Sequence, residues 1–397
     1  MKKRWLAVVL VFIVFLSTYS CKSFVLREEA VPLLRQMSLN EVSSYEWPDN
    51  IDIDSLREAL NRSISYYSRL PLTSIFNYGA HVYTAGEMIS SLRLFLDIIE
   101  NHSGKERRTL LAEKFYFFES INEGGGALFT GYYEPVLYGS REQTVQHNEP
   151  LYNTPDDLVT ANLGEFSLKW KDEHIVGKII NGRFEPYDSR EEIVYQRSLQ
   201  GRAKPIAYVD GIELFFLQIQ GSGLVNMQDG TVIRVNYAQK NGHPYSSIGK
   251  VLMQEIGPEN MSMQAIKNYL WSHPEKVRDI LSYNQSYVFF RELSEGPLGN
   301  IEVPLTPGHS IAMDWRIIPK GGLAFIHTQL PVFEGSRPSG HQELKRFVMV
   351  QDTGGAIRGH GRVDYFAGTG SEAERIAGHL KQEGRVVLLV ARKEFIQ

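Results

Sequence analysis

The sequence contains a single cysteine, Cys21, among 397 residues, so no intramolecular disulfide can staple it and a packed core must hold it together. It also lacks a basic excess. Its 42 Lys and Arg face 46 Asp and Glu, for a formal charge of -4, which leaves no electrostatic footprint for a nucleic acid partner. The 11 histidines show no His-x-x-x-His spacing and there is no Cys-x-x-Cys pair, so no zinc site is expected. No EF-hand loop collects oxygen ligands for calcium, and no serine nucleophile elbow is present. Neither a metal nor any other cofactor is predicted. Internal repeats, heptads and low-complexity tracts are missing too.

What is present begins with a basic cluster, Lys2, Lys3 and Arg4, followed by an unbroken apolar run from Trp5 to Leu16. That run is too short to span a bilayer comfortably and has the form of a secretory signal. Cys21 follows Ser17-Thr18-Tyr19-Ser20, where a lipoprotein signal places the thiol that receives lipid, although Thr18 occupies a position that is usually Leu. Residues 1-20 are read as a signal peptide and Cys21 as the lipidation site. The expected location is the periplasm, with a lipid anchor in a membrane. Lys22 does not by itself suggest inner-membrane retention, which favours the outer membrane.

Composition is that of a folded protein, 43% hydrophobic and 22% charged, and the length predicts two domains. The 20 Tyr, 20 Phe and 5 Trp suit either larger cores or flat faces for sugars. The N-terminal part reads as helical. Asp54 can cap a helix carrying Leu56, Leu60 and Ile64. Thr84 and Glu87 form a capping box ahead of Met88, Leu92, Phe95 and Ile99. A third helix is predicted from about Lys105 to Phe118, ended by Gly124-Gly125-Gly126. Then come short β-prone runs: Leu128 to Leu137, Glu213 to Gln220, Thr231 to Tyr237, Ser286 to Phe290, Phe347 to Gln351 and Val386 to Val390. A helix at Met263 to His273 interrupts them. Another is predicted to open at Ser371, with Glu374 as capping partner, and to close at Gly384. Strands at this density suggest barrels.

The densest motif is Gln351-Asp352-Thr353-Gly354-Gly355-Ala356-Ile357-Arg358-Gly359, followed by Asp364-Tyr365-Phe366. An apolar strand runs into a carboxylate and then into paired glycines, Gly354 and Gly355, whose backbone can turn tightly beside a ligand. Upstream, Asp314 ends another apolar run. Each aspartate alone reads as a turn cap; three on strand ends in one small region read as a site.

These residues resemble the three-aspartate C-terminal domain of the membrane-bound lytic transglycosylase A family. Phe129-Thr130-Gly131-Tyr132-Tyr133-Glu134-Pro135, Tyr187 to Ile193, Phe216 to Gly223, Asn241 to Tyr245 and Ser286 to Glu292 are similar to that family's signatures as well, and together they cover most of the chain from about residue 80. Departures are Arg358, where the family often has Lys, and Ala367, where an aromatic is common. The resemblance implies a mainly β protein with N-terminal helices. A double-psi β-barrel domain is expected from residues 22-135 and 293-397, a second β domain inserted at 136-292, and a glycan groove between them. It further implies Asp364 as catalytic acid, with Asp352 and Asp314 in support. The substrate would be the peptidoglycan glycan strand, and cell-wall synthesis proteins are candidate partners.

The chemistry has its own footing. Hydrolases cutting a glycosidic bond usually need two carboxylates. A lytic transglycosylase needs one, because the C6 hydroxyl of N-acetylmuramic acid attacks its own anomeric carbon and a 1,6-anhydro ring results, so the same Asp can give one proton and take another. Thr130, Tyr132, Tyr133, Glu134, Gln218 and Gln220 are candidate substrate contacts. Alternation on a strand sends Tyr132 and Tyr133 to opposite faces, so one is expected on a sugar and the other in the core. Glu134 is the second candidate acid, unless it is a solvated carboxylate at a strand edge. Gln218 and Gln220 are read as sharing one strand face. The alternative overall reading is a lipoprotein that binds wall glycan without cutting it.

Overall fold

The computed structural model describes residues 34-396 apart from 46, 49, 123, 124, 172 and 336; the signal segment and Cys21 lie outside them. Among the described residues no helix is long and apolar enough to cross a membrane.

The N-terminal helices form where apolar residues recur every three or four positions. Helix Ile53–Ser68 buries Leu56, Ala59, Leu60 and Tyr67. Its cap is Asp52, whose Oδ1 accepts from the Ser55 amide at 3.1 Å, rather than the expected Asp54, which sits in the first turn and pairs with Arg57 at 2.6 Å. Helix Ala85–Asn101 has the predicted Thr84 and Glu87 capping box and buries Met88, Leu92, Phe95 and Ile99. The third helix stops early: it spans Gly104–Lys114, and Phe115–Ser120 is a strand. Phe115, Phe117 and Phe118 are all buried because this strand pairs antiparallel with Lys381–Ala391, and that tertiary pairing overrides the local helical reading.

The chain's main sheet closes on itself. Its ring runs Lys381–Ala391, Leu323–Glu334, Arg337–Asp352, Ser310–Ala312, Arg362–Thr369, Ala127–Glu134 and back to Lys381–Ala391. Two neighbouring pairs are parallel, Ser310–Ala312 with Arg337–Asp352 and Arg362–Thr369 with Ala127–Glu134. Closure leaves no free edge in the ring. Its core is filled by Ile311, Phe325, Phe347, Val363 and Val387, continuous with the apolar faces of the N-terminal helices.

A second sheet has the order Val288–Leu293, Val232–Lys240, Ser222–Met227, Val136–Ser140, Pro205–Val209, Glu149–Tyr152, and its two outer strands meet at an Asn153↔Phe290 bridge. Leu137, Leu151, Val225 and Val235 pack inside it. A three-stranded sheet, Arg183–Pro186, His174–Ile180, Val159–Asn162, is tied to it where the Gln239 amide donates to the Thr160 hydroxyl at 3.2 Å.

Two expectations need correction. Residues 213-220 are not a strand: helix Gly211–Gln220 is capped by Asp210, whose carboxylate accepts from the Ile212 and Glu213 amides, and is ended by Gly221 at φ 83°. Those two caps define a helix that the β-prone composition hides. The last helix is Gly370–His379, and Gly384 lies within strand Lys381–Ala391 rather than ending the helix. Its N-cap Thr369 makes no capping bond, because its hydroxyl donates to Glu134 at 2.7 Å.

Candidate active site

The ladders bring two of the three aspartates together. Ala312, at the end of the short strand Ser310–Ala312, pairs with Asp352 on one side and with Asp364 on the other. Asp364 in turn pairs with Thr130. Residues directly opposite in a ladder share a face, so Asp352, Ala312, Asp364 and Thr130 form one row across four strands. Both carboxyls are half-buried. Next to the row, Tyr132, Leu305, Ala312 and Phe366 form a small apolar cluster.

The Thr130 hydroxyl donates to Asp364 and accepts from the Arg362 guanidinium at 3.1 Å, which orients its proton toward the carboxyl. Burial raises the Asp364 pKa, against the lowering effects of Thr130 and Arg362. Asp352 is pushed up to about 6, first by burial and also by the nearby charge of Asp364, while its hydrogen bonds and Tyr132 oppose the shift. Its Oδ1 accepts from the Thr353 amide at 2.8 Å and the Asn300 amide at 2.9 Å. Lys320 faces the same carboxylate, with its own pKa lowered by burial and partly restored by Asp352. Two protonatable carboxyls side by side in a low-dielectric pocket retain a proton to higher pH than isolated ones.

Asp314 does different work. It is fully buried and bound by Arg316 Nη2 at 2.6 Å and by the Gly359 amide at 2.9 Å. Burial would raise its pKa, yet these partners outweigh burial and hold it near 2. It is a permanent anion that pins the 353-361 loop joining the strands of Asp352 and Asp364. Gly354 and Gly355 lie at the start of that loop; Gly355 is exposed, and the Gly354 carbonyl accepts from the Ile357 amide at 3.0 Å.

Of the remaining candidates, Tyr132 borders the carboxyl row, and Tyr133, Glu134, Gln218 and Gln220 have partners elsewhere. Tyr132 and Tyr133 do point to opposite faces, and both are buried, at 8% and 1% exposure. Tyr132 packs at a tilt against Phe366 with ring centres 5.2 Å apart, its hydroxyl beside Asp352 but outside full hydrogen-bond geometry. Tyr133 packs on Ala373 and Ala377. Glu134 is no solvated edge residue: it is fully buried and pairs with Arg234 at 3.2 Å. Gln218 is buried and donates to the Val288 carbonyl at 3.3 Å, and Gln220 accepts from the Tyr133 amide at 3.0 Å. Two residues apart on a helix, they do not share a face. Sequence reasoning passed over Asn300, Arg316 and Lys320. Arg316 was within reach, since a guanidinium two residues after a buried aspartate signals a paired anion, whereas Asn300 acts through its backbone and leaves no trace in sequence.

The sequence matches the family models of the MltA specific insert domain over residues 128–291 and of the 3D domain over residues 309–390. It is 34% identical over 277 residues to membrane-bound lytic murein transglycosylase A of Escherichia coli K12, covering 68% of this chain and 67% of that protein. This chain belongs to the membrane-bound lytic murein transglycosylase A family. The Vibrio cholerae member is 32% identical over 268 residues, 66% of this chain and 65% of its own length. Among solved family members, the transglycosylase of Agrobacterium tumefaciens superposes with a TM-score of 0.72 at 28% identity, over 91% of this chain and 98% of that one. Escherichia coli MltA with bound chitohexaose gives 0.67 at 26%, over 91% and 95%.

Proposed function

We propose that this protein is a peptidoglycan lytic transglycosylase that cleaves the β-1,4 bond between N-acetylmuramic acid and N-acetylglucosamine and leaves a 1,6-anhydromuramoyl end. The observation that carries the reading is the row in which Asp364 and Asp352 flank Ala312, with Thr130 bonded to Asp364. Family membership and the chitohexaose held by the Escherichia coli relative support glycan as the substrate.

Asp364 is the general acid and base. Thr130 occupies Oδ1, which leaves Oδ2 to present the proton to the bridging oxygen. As the bond breaks, the carboxylate formed is stabilised by the Thr130 hydroxyl, itself fixed by Arg362, and then takes the proton of the attacking C6 hydroxyl. Asp352 opposes ionisation of its neighbour before the step and offers negative charge to the oxocarbenium-like transition state. Asp314 keeps the connecting loop in place. In this reading the closed ring is a double-psi β-barrel within a domain of residues 22-135 and 293-397 that also carries the N-terminal helices, residues 136-292 are the inserted domain, and the glycan lies between them. The chain would reach its polymeric substrate from the periplasm through lipid on Cys21, in the outer membrane.

The test is Asp364→Asn assayed on purified glycan strands. Release of anhydro-ended fragments should fall by at least about a thousandfold, the scale of losing a general acid and base, with the melting temperature preserved. Near-normal release from the folded variant would move the acid elsewhere. Intact polymer with the unaltered protein would favour the non-catalytic binder, and reducing ends would indicate hydrolysis.

A further inference from the structure

A concavity of about 520 Å³ lies away from the carboxyl row, where the three-stranded sheet meets the second sheet, and Thr160, Asn162, Glu165, Phe166, His174 and Gln239 line it. That volume is within the range of small-ligand sites, roughly 300 to 1,000 Å³. Phe166 is 77% exposed, so its flat ring is open to a ligand. Gln239 is held from several sides: its amide donates to Thr160 at 3.2 Å, and its carbonyl accepts from the Tyr237 hydroxyl at 3.2 Å and the Lys240 amide at 2.9 Å. One amide hydrogen of Gln239 remains for a ligand. Asn162 leans on Glu165 at 3.4 Å. An aromatic face beside pre-oriented amides and a hydroxyl suits a neutral, hydroxyl-rich ring better than an anion.

One charge links the rim of the concavity to the partner of Asp314. Glu173, the residue before His174, is near enough to Arg316 to help raise its pKa, and Arg316 is the partner of Asp314. A polymer lying over Asp364 and leading past Arg316 toward Glu173 would meet this surface.

We propose that this concavity is a remote saccharide subsite that binds N-acetylhexosamine rings of the glycan strand several units from the cleaved bond, with Phe166 under a pyranose face and Gln239 and Asn162 on hydroxyl and N-acetyl groups. The assignment rests on the glycan reading above but concerns binding rather than bond cleavage. Its function is to hold long strands in register while the acid acts.

The experiment measures chitohexaose binding by calorimetry to the full chain and to its Phe166→Ala and Gln239→Ala variants. Each should weaken the dissociation constant by about tenfold, the loss typical of a contact residue that matters, and kcat/KM on long strands should fall in parallel. Affinities within about twofold of the unaltered protein for both folded variants overturn the subsite. Leu168 and Trp170 stand exposed beside it at 89% and 45%, so sedimentation with phosphatidylglycerol vesicles is run alongside. A Phe166→Ala defect confined to vesicle binding assigns the patch to a bilayer and overturns the proposal. Failure of the catalytic reading would look different: no anhydro ends from any variant, with the chitohexaose comparison still readable.

Discussion

At the scale of single residues, the decisive feature is that Asp352 and Asp364 share one neighbour, Ala312, and one proton economy. Burial raises both pKa values, Asp352 to about 6. A carboxyl that must be protonated to act loses activity as pH rises through its pKa, and burial raises that of Asp364, so kcat/KM on glycan strands should have an alkaline limb with its inflection above the ordinary aspartate range. Repulsion between charges is reciprocal, so Asp352→Asn removes a negative charge that opposes ionisation of Asp364. The limb should then move toward lower pH, which a pH–rate profile of the variant reads directly; an unmoved limb would mean that the two carboxyls are not coupled. The three aspartates were legible from sequence as a candidate site because Asp352 and Asp314 close apolar runs and Asp364 follows twelve residues after Asp352. Their division of labour was not. Whether a buried aspartate is neutral or a fixed anion depends on partners such as Arg316, Thr130 and the Asn300 amide, which folding alone brings within reach.

At the scale of elements, the strands carrying the site are braced from behind by helix Gly370–His379. Gly131, paired with Tyr365 in the ladder, is the contact point: a Cβ there would lie 2.7 Å from Ala377 Cα and 3.2 Å from its Cβ. Gly131→Ala must push the helix away and should cost about 1 to 3 kcal/mol, as overpacking of a close contact does, measured by urea unfolding. It should also lower cleavage, since Thr130 and Asp364 sit on the displaced strands; an unchanged unfolding midpoint would show that the helix is free to give. Long amphipathic helices and the capping box at Thr84 were readable because local chemistry and tertiary need agree there. The Phe115–Ser120 strand and the Gly211–Gln220 helix were misread for opposite reasons. In the first, sheet pairing overruled a helical pattern; in the second, Asp210 and Gly221 at its ends outweighed an interior rich in Phe and Ile.

At the scale of the whole molecule, the two closed sheets are held together by buried charge. Lys267, 5% exposed, bridges Glu213 at 2.9 Å and Glu374 at 2.8 Å, and so joins helices of the second sheet's region to the helix that braces the ring. Arg234 and Glu134 make a second tie. Removing one member of a buried network strands its partners, so Lys267→Ala should destabilise the protein by about 2 to 4 kcal/mol, somewhat below the usual range because both glutamates are partly exposed. Calorimetry checks it, and a split of the single melting transition into two would show the two sheets unfolding separately. No pairing of this kind is visible in sequence, where Lys267 and Glu374 are far apart and look like ordinary surface charges.

The ring has one more implication. Because each strand bearing Asp352 or Asp364 is bonded on both sides, the backbone under these carboxyls is fixed, and in the proposed reaction it is the sugar that would adapt. Adaptation to differently decorated walls is therefore free to occur in the loops and in the outlying three-stranded sheet, while the chemistry itself stays where it is.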